Sequence, residues 1–426
     1  MGEVCENQRM SQRRIVFFAR NAIVHELGGS MTVANNLLEV LRGHGAEITV
    51  CVLSAYSRSP RLFFKENVSL PAGVKLVVPG FLRCGKWYVN PLSPRAWARM
   101  ICRVTRRRSF PGQLCRAIQT IFGDRLNVDA WDLTTPTADE AAALVRELER
   151  TDPSTVMVNY ANLGPLLRLP QMAGRKRVIV MHDLLSARIA KFIASGIALD
   201  CPYLAEETEL GWLNEADYVL AAQRSEADSI AAKVKVQVLV QPIVIPIHHG
   251  THPADPFRCL FVGTNIVPNS TGIRWFLEKV WPQVLRAQPQ AVLHIAGSVC
   301  MGLDDSYPKV RLLGVLTSLD EEMERAGVCV IPLQVGSGIK VKLLEALAFG
   351  KACVSTPIGV QGLEPWAPGA IEVASGPDEF AAAVLRLMTD DALRGEREQA
   401  AVELMRRHFS AESDAARAFA EKVLEG

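Results

Sequence analysis

The chain has 426 residues, enough for two hydrophobic cores rather than one. Hydrophobic residues make up 49% and charged residues 22%, the balance of a soluble globular protein, and a formal net charge of only +2 argues against a dedicated nucleic-acid binder. The ten cysteines are scattered without zinc or redox spacing, and several sit in apolar runs, so they read as buried free thiols in a reducing compartment. The polar opening MGEVCENQRMSQRR has no signal-peptide core and no apolar run reaches spanning length, so the expectation is a cytoplasmic protein, free or lying on the inner face of a membrane.

Short β-branched runs alternate with helical patterns, which predicts a parallel sheet with helices on its faces. Arg13–Arg20 is the first strand. A loop containing His25, Gly28 and Gly29 follows, then a helix with Val33, Leu37, Val40 and Leu41 at helical spacing, ended by Gly43 or Gly45. AEITVCVLS supplies the next strand. Residues 81–125, rich in Arg, Trp, Pro and Cys, carry little strand signal. Further strands are expected in STVMVNYANL, RKRVIVM and DYVLAAQ. The proline-rich stretch near 241–256 marks a domain boundary. The alternation restarts with FRCLFVG, then a helix with Ile273, Phe276, Leu277, Val280 and Val284 on one face, and continues through AVLHIAGS, VRLLGVL and GVCVIPLQ. KVKLLEALAFG reads as a helix, KACVSTPIG as a strand, and helices close the chain from about Pro377. The expected organisation is an α/β protein with two Rossmann-like domains facing across a cleft: 12–245, 254–405, and a C-terminal helix, 406–426, packing back toward the first domain.

The segment Ile331–Glu364 carries most of the chemistry. A strand ends in the loop Gly336-Ser337-Gly338, and a helix is expected to begin at about Ile339. Helix N-termini present unpaired N–H groups and partial positive charge, a site for anionic phosphate, and glycine lets the backbone approach the anion closely. Lys340 and Lys342 place positive charge in the first turn, where it disfavours an isolated helix and so points to a compensating anion. Glu345, three residues beyond Lys342, shares its side of the helix. The alternative for these three residues is a solvated surface pair worth only about 0.3–0.5 kcal/mol.

This segment resembles retaining glycosyltransferases of family four, which have the GT-B fold, and in particular the subgroup with the signature Pro-Leu-x-x-Gly-Ser-Gly-Ile-Lys-x-Lys-x-x-Glu-Ala. FVGTNIVPNSTGIRWFLEKVWP and LLGVLTSLDEEMERAGVCVIPL extend the resemblance over most of residues 258–364. It implies transfer of a hexose or deoxyhexose from a nucleotide-sugar co-substrate, with retention, no further cofactor and no metal, to a saccharide or lipid-linked acceptor in bacterial polysaccharide or glycolipid synthesis. By the same resemblance Glu345 occupies the place of the glutamate that binds the nucleotide ribose. Ser337 stands where the family usually has a glutamate for the sugar, leaving the N–H groups of Ser337, Gly338 and Ile339 to hold the sugar or β-phosphate. Gly263 ends the strand before the donor loop, and Lys340, Lys342 and Arg274 are the available cations for the diphosphate. Arg274 reads equally as a solvent-facing helix residue. His182, with Lys342 and Glu345, is a candidate catalytic group beside the donor sugar; Asp183 is placed to orient its imidazole and Arg188 to reach a phosphate. His25, Gly28 and Gly29 form a loop expected to approach donor or acceptor, though a plain tight turn also explains the glycines.

Arg95, Arg99, Arg103 and Arg106–Arg108, interleaved with Trp97, Ile101 and Val104 and preceded by Trp87 and Tyr88, read either as a basic amphipathic surface for anionic lipid or as a solvated basic helix. Other functions open to the same scaffold are a nucleotide-sugar hydrolase, epimerase or phosphorylase, and a catalytically degenerate sugar-nucleotide binder. A dinucleotide oxidoreductase is disfavoured because VHELGGSMT lacks Gly-x-Gly-x-x-Gly.

Overall fold

The computed structural model describes residues 13–20, 29–52, 63–65, 70–85, 87–90, 94, 97, 101, 133–196, 198–199, 201–248, 250, 252–304 and 306–425. Two parallel sheets dominate. The first takes its strands from the N-terminal half: β1 (Arg14–Ala19), β2 (Glu47–Val52), then, beyond β3 (Phe63–Lys65), β4 (Lys75–Val77). After β5 (Leu82–Cys84) and β6 (Trp87–Val89) it continues with β7 (Thr155–Asn159), β8 (Lys176–Val180), β9 (Tyr218–Ala221) and β10 (Gln237–Val240). Its order is β10-β9-β8-β7-β1-β2-β4, parallel throughout. The second sheet holds β11 (Asp255–Val262), β12 (Val292–Ala296), β13 (Val310–Gly314), β14 (Ala326–Ile331), β15 (Ala352–Ser355) and β16 (Ile371–Val373), in the order β13-β12-β11-β14-β15-β16.

The central strands are apolar along their whole length because helices cover both faces of each sheet. β14, AGVCVI, is buried at all six positions, and β1 exposes only part of Arg14. Helix α1 (Gly29–Gly43) buries Leu37, Leu38 and Leu41 on the first sheet, and Gly45, at φ 88°, turns the chain into β2. Helix α2 (Ala138–Thr151) starts in a capping box made by Thr137 and Glu140. Glu140 is also the partner of Arg20 at 2.8 Å, and both side chains are buried.

The crossing from one sheet to the other lies between Val240 and Asp255. There the Ile245 N–H donates to the Phe409 carbonyl at 3.0 Å and the His248 N–H to that of Ala348 at 2.9 Å, tying the connection to the second half. The chain returns at its end. In the last helix, Asp414–Glu425, Phe419, Ala420, Val423 and Leu424 join the core of the first sheet, and the Lys176 ammonium donates to the Val423 carbonyl at 2.7 Å.

One stretch departs from the sequence reading. Residues 82–84 and 87–89 are short antiparallel strands, paired with each other and with Phe63–Lys65 in a separate three-stranded sheet. Each strand is three residues long, and in the two whose burial is described only Tyr88 is buried, so neither alternation nor an apolar run marks them. Among the arginines from Arg95 to Arg108, none belongs to the described residues; Trp97 and Ile101 do, and both are exposed. Of the ten cysteines, seven are described, all as free thiols, five of them buried.

Candidate functional site

In a doubly wound parallel sheet, ligands bind beyond the carboxyl ends of the strands where the strand order reverses. That reversal falls at β7/β1 in the first sheet and at β11/β14 in the second. The Gly336-Ser337-Gly338 loop leaves the end of β14 and so stands at the second reversal. It begins close against helix α3 (Val267–Trp275), where Gly272 has no Cβ; one would lie 2.7 Å from the Pro332 carbonyl oxygen.

The loop is longer than its sequence suggests. Helix α4 spans Val341–Ala348, not from Ile339, and Lys340 is its N-cap in an extended conformation. Gly336 (φ 142°) and Gly338 (φ 70°) hold left-handed backbone that delays the helix by two residues. Lys340 is buried and points back into the loop. Its ammonium donates to the carbonyls of Ser337 (3.0 Å) and Gly338 and to Gln361 Oε1 at 3.3 Å, so it braces the loop rather than standing free in the first turn. Burial lowers its pKa to about 8. Among the described residues, none of the backbone N–H groups from Gly336 to Lys342 donates to a protein acceptor. Seven consecutive amides therefore lack a protein acceptor among the described residues.

Lys342 lies one position into the helix. Its ammonium donates to Asn269 Oδ1 and sits 4.9 Å from the centroid of the Phe261 ring. Asn269, at the start of α3, is buried and donates in turn to the Thr264 carbonyl at 2.8 Å, which fixes the loop after β11. Gly263, at the head of that loop, accepts from the Val299 N–H at 3.1 Å, and its carbonyl lies where a Cβ at Gly297 would sit 2.2 Å away. Glu345 is half-buried, and its carboxylate has no hydrogen-bond partner among the described residues. Burial, with the neighbouring Lys340 charge adding to it, pushes Lys342 down to about 7; burial pushes Glu345 up to about 7, against the pull of Lys342.

The first sheet contributes the facing wall. His182 and Asp183 follow β8, and the preceding strand end is equally unusual: Tyr160 (φ 78°) and His182 (φ 62°) both adopt left-handed backbone, and their rings pack at 4.7 Å. Asp183 does not orient the imidazole, as the sequence suggested. Asn159 does, through a 2.6 Å bond between His182 Nε2 and Asn159 Oδ1, which leaves Nδ1 buried without a partner. Burial lowers the His182 pKa to about 3, so the ring is neutral at physiological pH. Asp183 instead crosses to the second sheet, where its Oδ2 accepts from Ser337 Oγ at 2.8 Å. Arg188 lies 3.6 Å from the same carboxylate oxygen, buried, with its guanidinium over the Phe192 ring. The helix carrying Arg188, Leu185–Ala194, has its own N-terminus held by Glu209, fully buried, which accepts from the N–H groups of Leu185 (2.9 Å) and Ser186 (2.8 Å).

The structure thus brings Gly336, Ser337, Gly338, Ile339, Lys340, Lys342 and Glu345 to one loop and helix start, with Asp183 and Arg188 opposite. Arg274 stands apart, exposed near the end of α3, where it donates to the Gly302 carbonyl at 2.6 Å. Gly29 is the first residue of α1; His25 and Gly28 lie outside the described residues. Sequence reasoning missed Asn159, Asn269, Glu209, Gln223 and Gln361. Only Asn269 had a local signal, its place beside Pro268 at a helix start.

Residues 256–390 match the family description "Glycosyl transferases group 1". A Klebsiella pneumoniae protein described as an uncharacterized 44.6 kDa protein in the cps region is 32% identical over 133 residues, 28% of this chain and 34% of the relative, so the match covers about a third of that protein. Sucrose-phosphate synthase from Thermosynechococcus elongatus superposes with a TM-score of 0.65 at 16% identity, over 97% of this chain and 98% of the other. Anabaena HepE, solved in complex with UDP and glucose, gives 0.60 at 13% identity, over 96% and 98%. These likenesses define the class of fold. The chain has the two-lobed GT-B architecture of these structures.

Proposed function

We propose that the chain is a glycosyltransferase that moves a hexose or deoxyhexose from a nucleotide-sugar to a saccharide or lipid-linked acceptor, with retention. The observation that carries this reading is the run of unbonded amides from Gly336 to Lys342, at a helix start whose Ser337 donates to Asp183 of the other lobe. Negative charge develops on the diphosphate as the glycosidic bond breaks, and fixed N–H donors aimed at it need no rearrangement; a single well-placed donor is worth about 3–4 kcal/mol. Lys342 adds the cation, and Glu345, without a protein donor, is free to accept from ribose hydroxyls. In this reading residues 254–405 bind the donor, residues 12–245 bind the acceptor, and His182, neutral and held by Asn159, stands beside the sugar. The nucleotide-sugar is a co-substrate, and no further cofactor or metal is invoked.

Polysaccharide synthesis is the favoured setting, supported by the capsule-region relative of Klebsiella. Among the described residues no helix is long and apolar enough to cross a membrane. Exposed Leu82, Trp87, Trp97 and Ile101 support a cytoplasmic enzyme touching the inner membrane surface. Flotation with anionic liposomes at low salt tests that contact, and protein left at the bottom of the gradient rejects it. The activity is tested by a thermal-shift screen against UDP-, GDP- and dTDP-sugars, followed by product analysis. A raised melting point with one nucleotide class and a new glycoside are expected. Free sugar alone as product would assign a hydrolase instead.

A further inference from the structure

The contact between the lobes is completed by polar groups that the donor loop does not use. Gln223 follows β9 and is buried, 6% exposed, with its Oε1 lacking any hydrogen-bond donor. That oxygen abuts Gly362 of the other lobe, 2.9 Å from where a Cβ would sit. Asp183 makes a similar approach, its Oδ1 lying 3.0 Å from the Cβ position of Gly338. Gly338 (φ 70°) and Gly362 (φ 84°) permit these close approaches because neither carries a side chain. Nearby Glu226 is hydrogen-bonded to both Gln223 and Asp183. Burial and then the Asp183 charge raise its pKa to about 8, so near neutrality Glu226 is protonated and donates to the Asp183 carboxylate.

That leaves Gln223 Oε1 as the buried acceptor without a donor among the described residues. A buried acceptor without a donor is a standing cost, and the usual resolution is a ligand or water that donates. A diphosphate offers only acceptors and would be repelled from Asp183; it is suited to the amide-lined side of the same loop. A sugar joined to that diphosphate offers hydroxyl donors one bond away. We infer that Gln223 forms a subsite on the first lobe that accepts hydrogen bonds from hydroxyls of the transferred sugar, making it a residue that determines sugar specificity. The inference rests on the nucleotide-sugar reading above.

The test is calorimetric titration of the full chain with UDP, GDP and dTDP and with the glucose and galactose forms of UDP, the mannose form of GDP and the glucose form of dTDP. For the base that binds, the quantity read is the ratio of Kd for the sugar form to Kd for the bare diphosphate. In Gln223→Leu this ratio is expected to rise at least tenfold, with the Kd of the diphosphate changed less than threefold. Leu removes the unsatisfied acceptor together with the hydrogen bond to Glu226, so the melting point of the unliganded variant should stay close to that of the wild type. An unchanged ratio, or a melting point several degrees lower, overturns the inference. Failure of the wild type to bind any of the three diphosphates overturns the underlying reading instead.

Discussion

At the scale of single residues, Lys342 and Glu345 decide how the site responds to pH. Both are brought near neutrality by burial, from opposite directions, to about 7 each. A bound diphosphate favours the charged lysine and raises its pKa, so affinity is full below about pH 7 and falls as pH rises through that value. Ribose hydroxyls favour the ionised carboxylate and lower the Glu345 pKa, so its contribution is present above about pH 7 and fades below. The account predicts a bell-shaped affinity centred near neutrality, with net proton uptake on binding at pH 8. Titrations in two buffers of different ionisation enthalpy read this directly; proton release at pH 8 would contradict it. In Glu345→Gln only the acid limb should disappear. These residues could be picked out as candidates in the sequence because loop, helix start, lysines and glutamate sit within ten residues. The partners that tune them were not. Lys342 is held by Asn269, 73 positions away, and Ser337 by Asp183, 154 positions away, and such pairs exist only once the chain is folded.

At the scale of elements, the loop before α4 shows how glycine placement sets where a helix begins. The strand, the Gly-Ser-Gly turn and the helix could be read from the change in apolar period, but the helix start was read two residues early. Propensity favours continuing the helix through Ile339 and Lys340; the left-handed Gly338 and the ammonium of Lys340 on the loop carbonyls override it. Gly338→Ala tests this. A non-glycine residue in left-handed conformation costs about 1–2 kcal/mol, and the new Cβ would meet Asp183 Oδ1 at 3.0 Å. The expected result is a melting point lowered by a few degrees and donor affinity reduced at least tenfold. Wild-type affinity in this variant would show that the loop geometry is dispensable. The three-stranded sheet around Trp87 was the converse case: elements this short are stabilised by pairing with one another, which no local pattern records.

At the scale of the whole molecule, the alternation of strands and helices announced two parallel sheets, and the proline-rich stretch between Val240 and Asp255 is where one gives way to the other. What the sequence did not convey is how the lobes engage. Val33, Ala222, Ile243 and Ile245 from the first half join the apolar cluster of the second, and the last helix completes the core of the first. The two halves also meet through a polar contact, where Asp183 accepts from Ser337 of the glycine loop. The central claim is that the amides of that loop and Lys342 grip a nucleoside diphosphate. The most direct measurement is the Kd of UDP, GDP and dTDP for wild type and for Lys342→Met, by calorimetry at pH 7 and low salt. One nucleotide should bind the wild type. Loss of a charged hydrogen bond, about 1.5–3 kcal/mol, should weaken it roughly 10- to 150-fold in the variant, with the melting point of the free protein preserved. Equal affinity in both proteins, or no binding by either, would contradict the account.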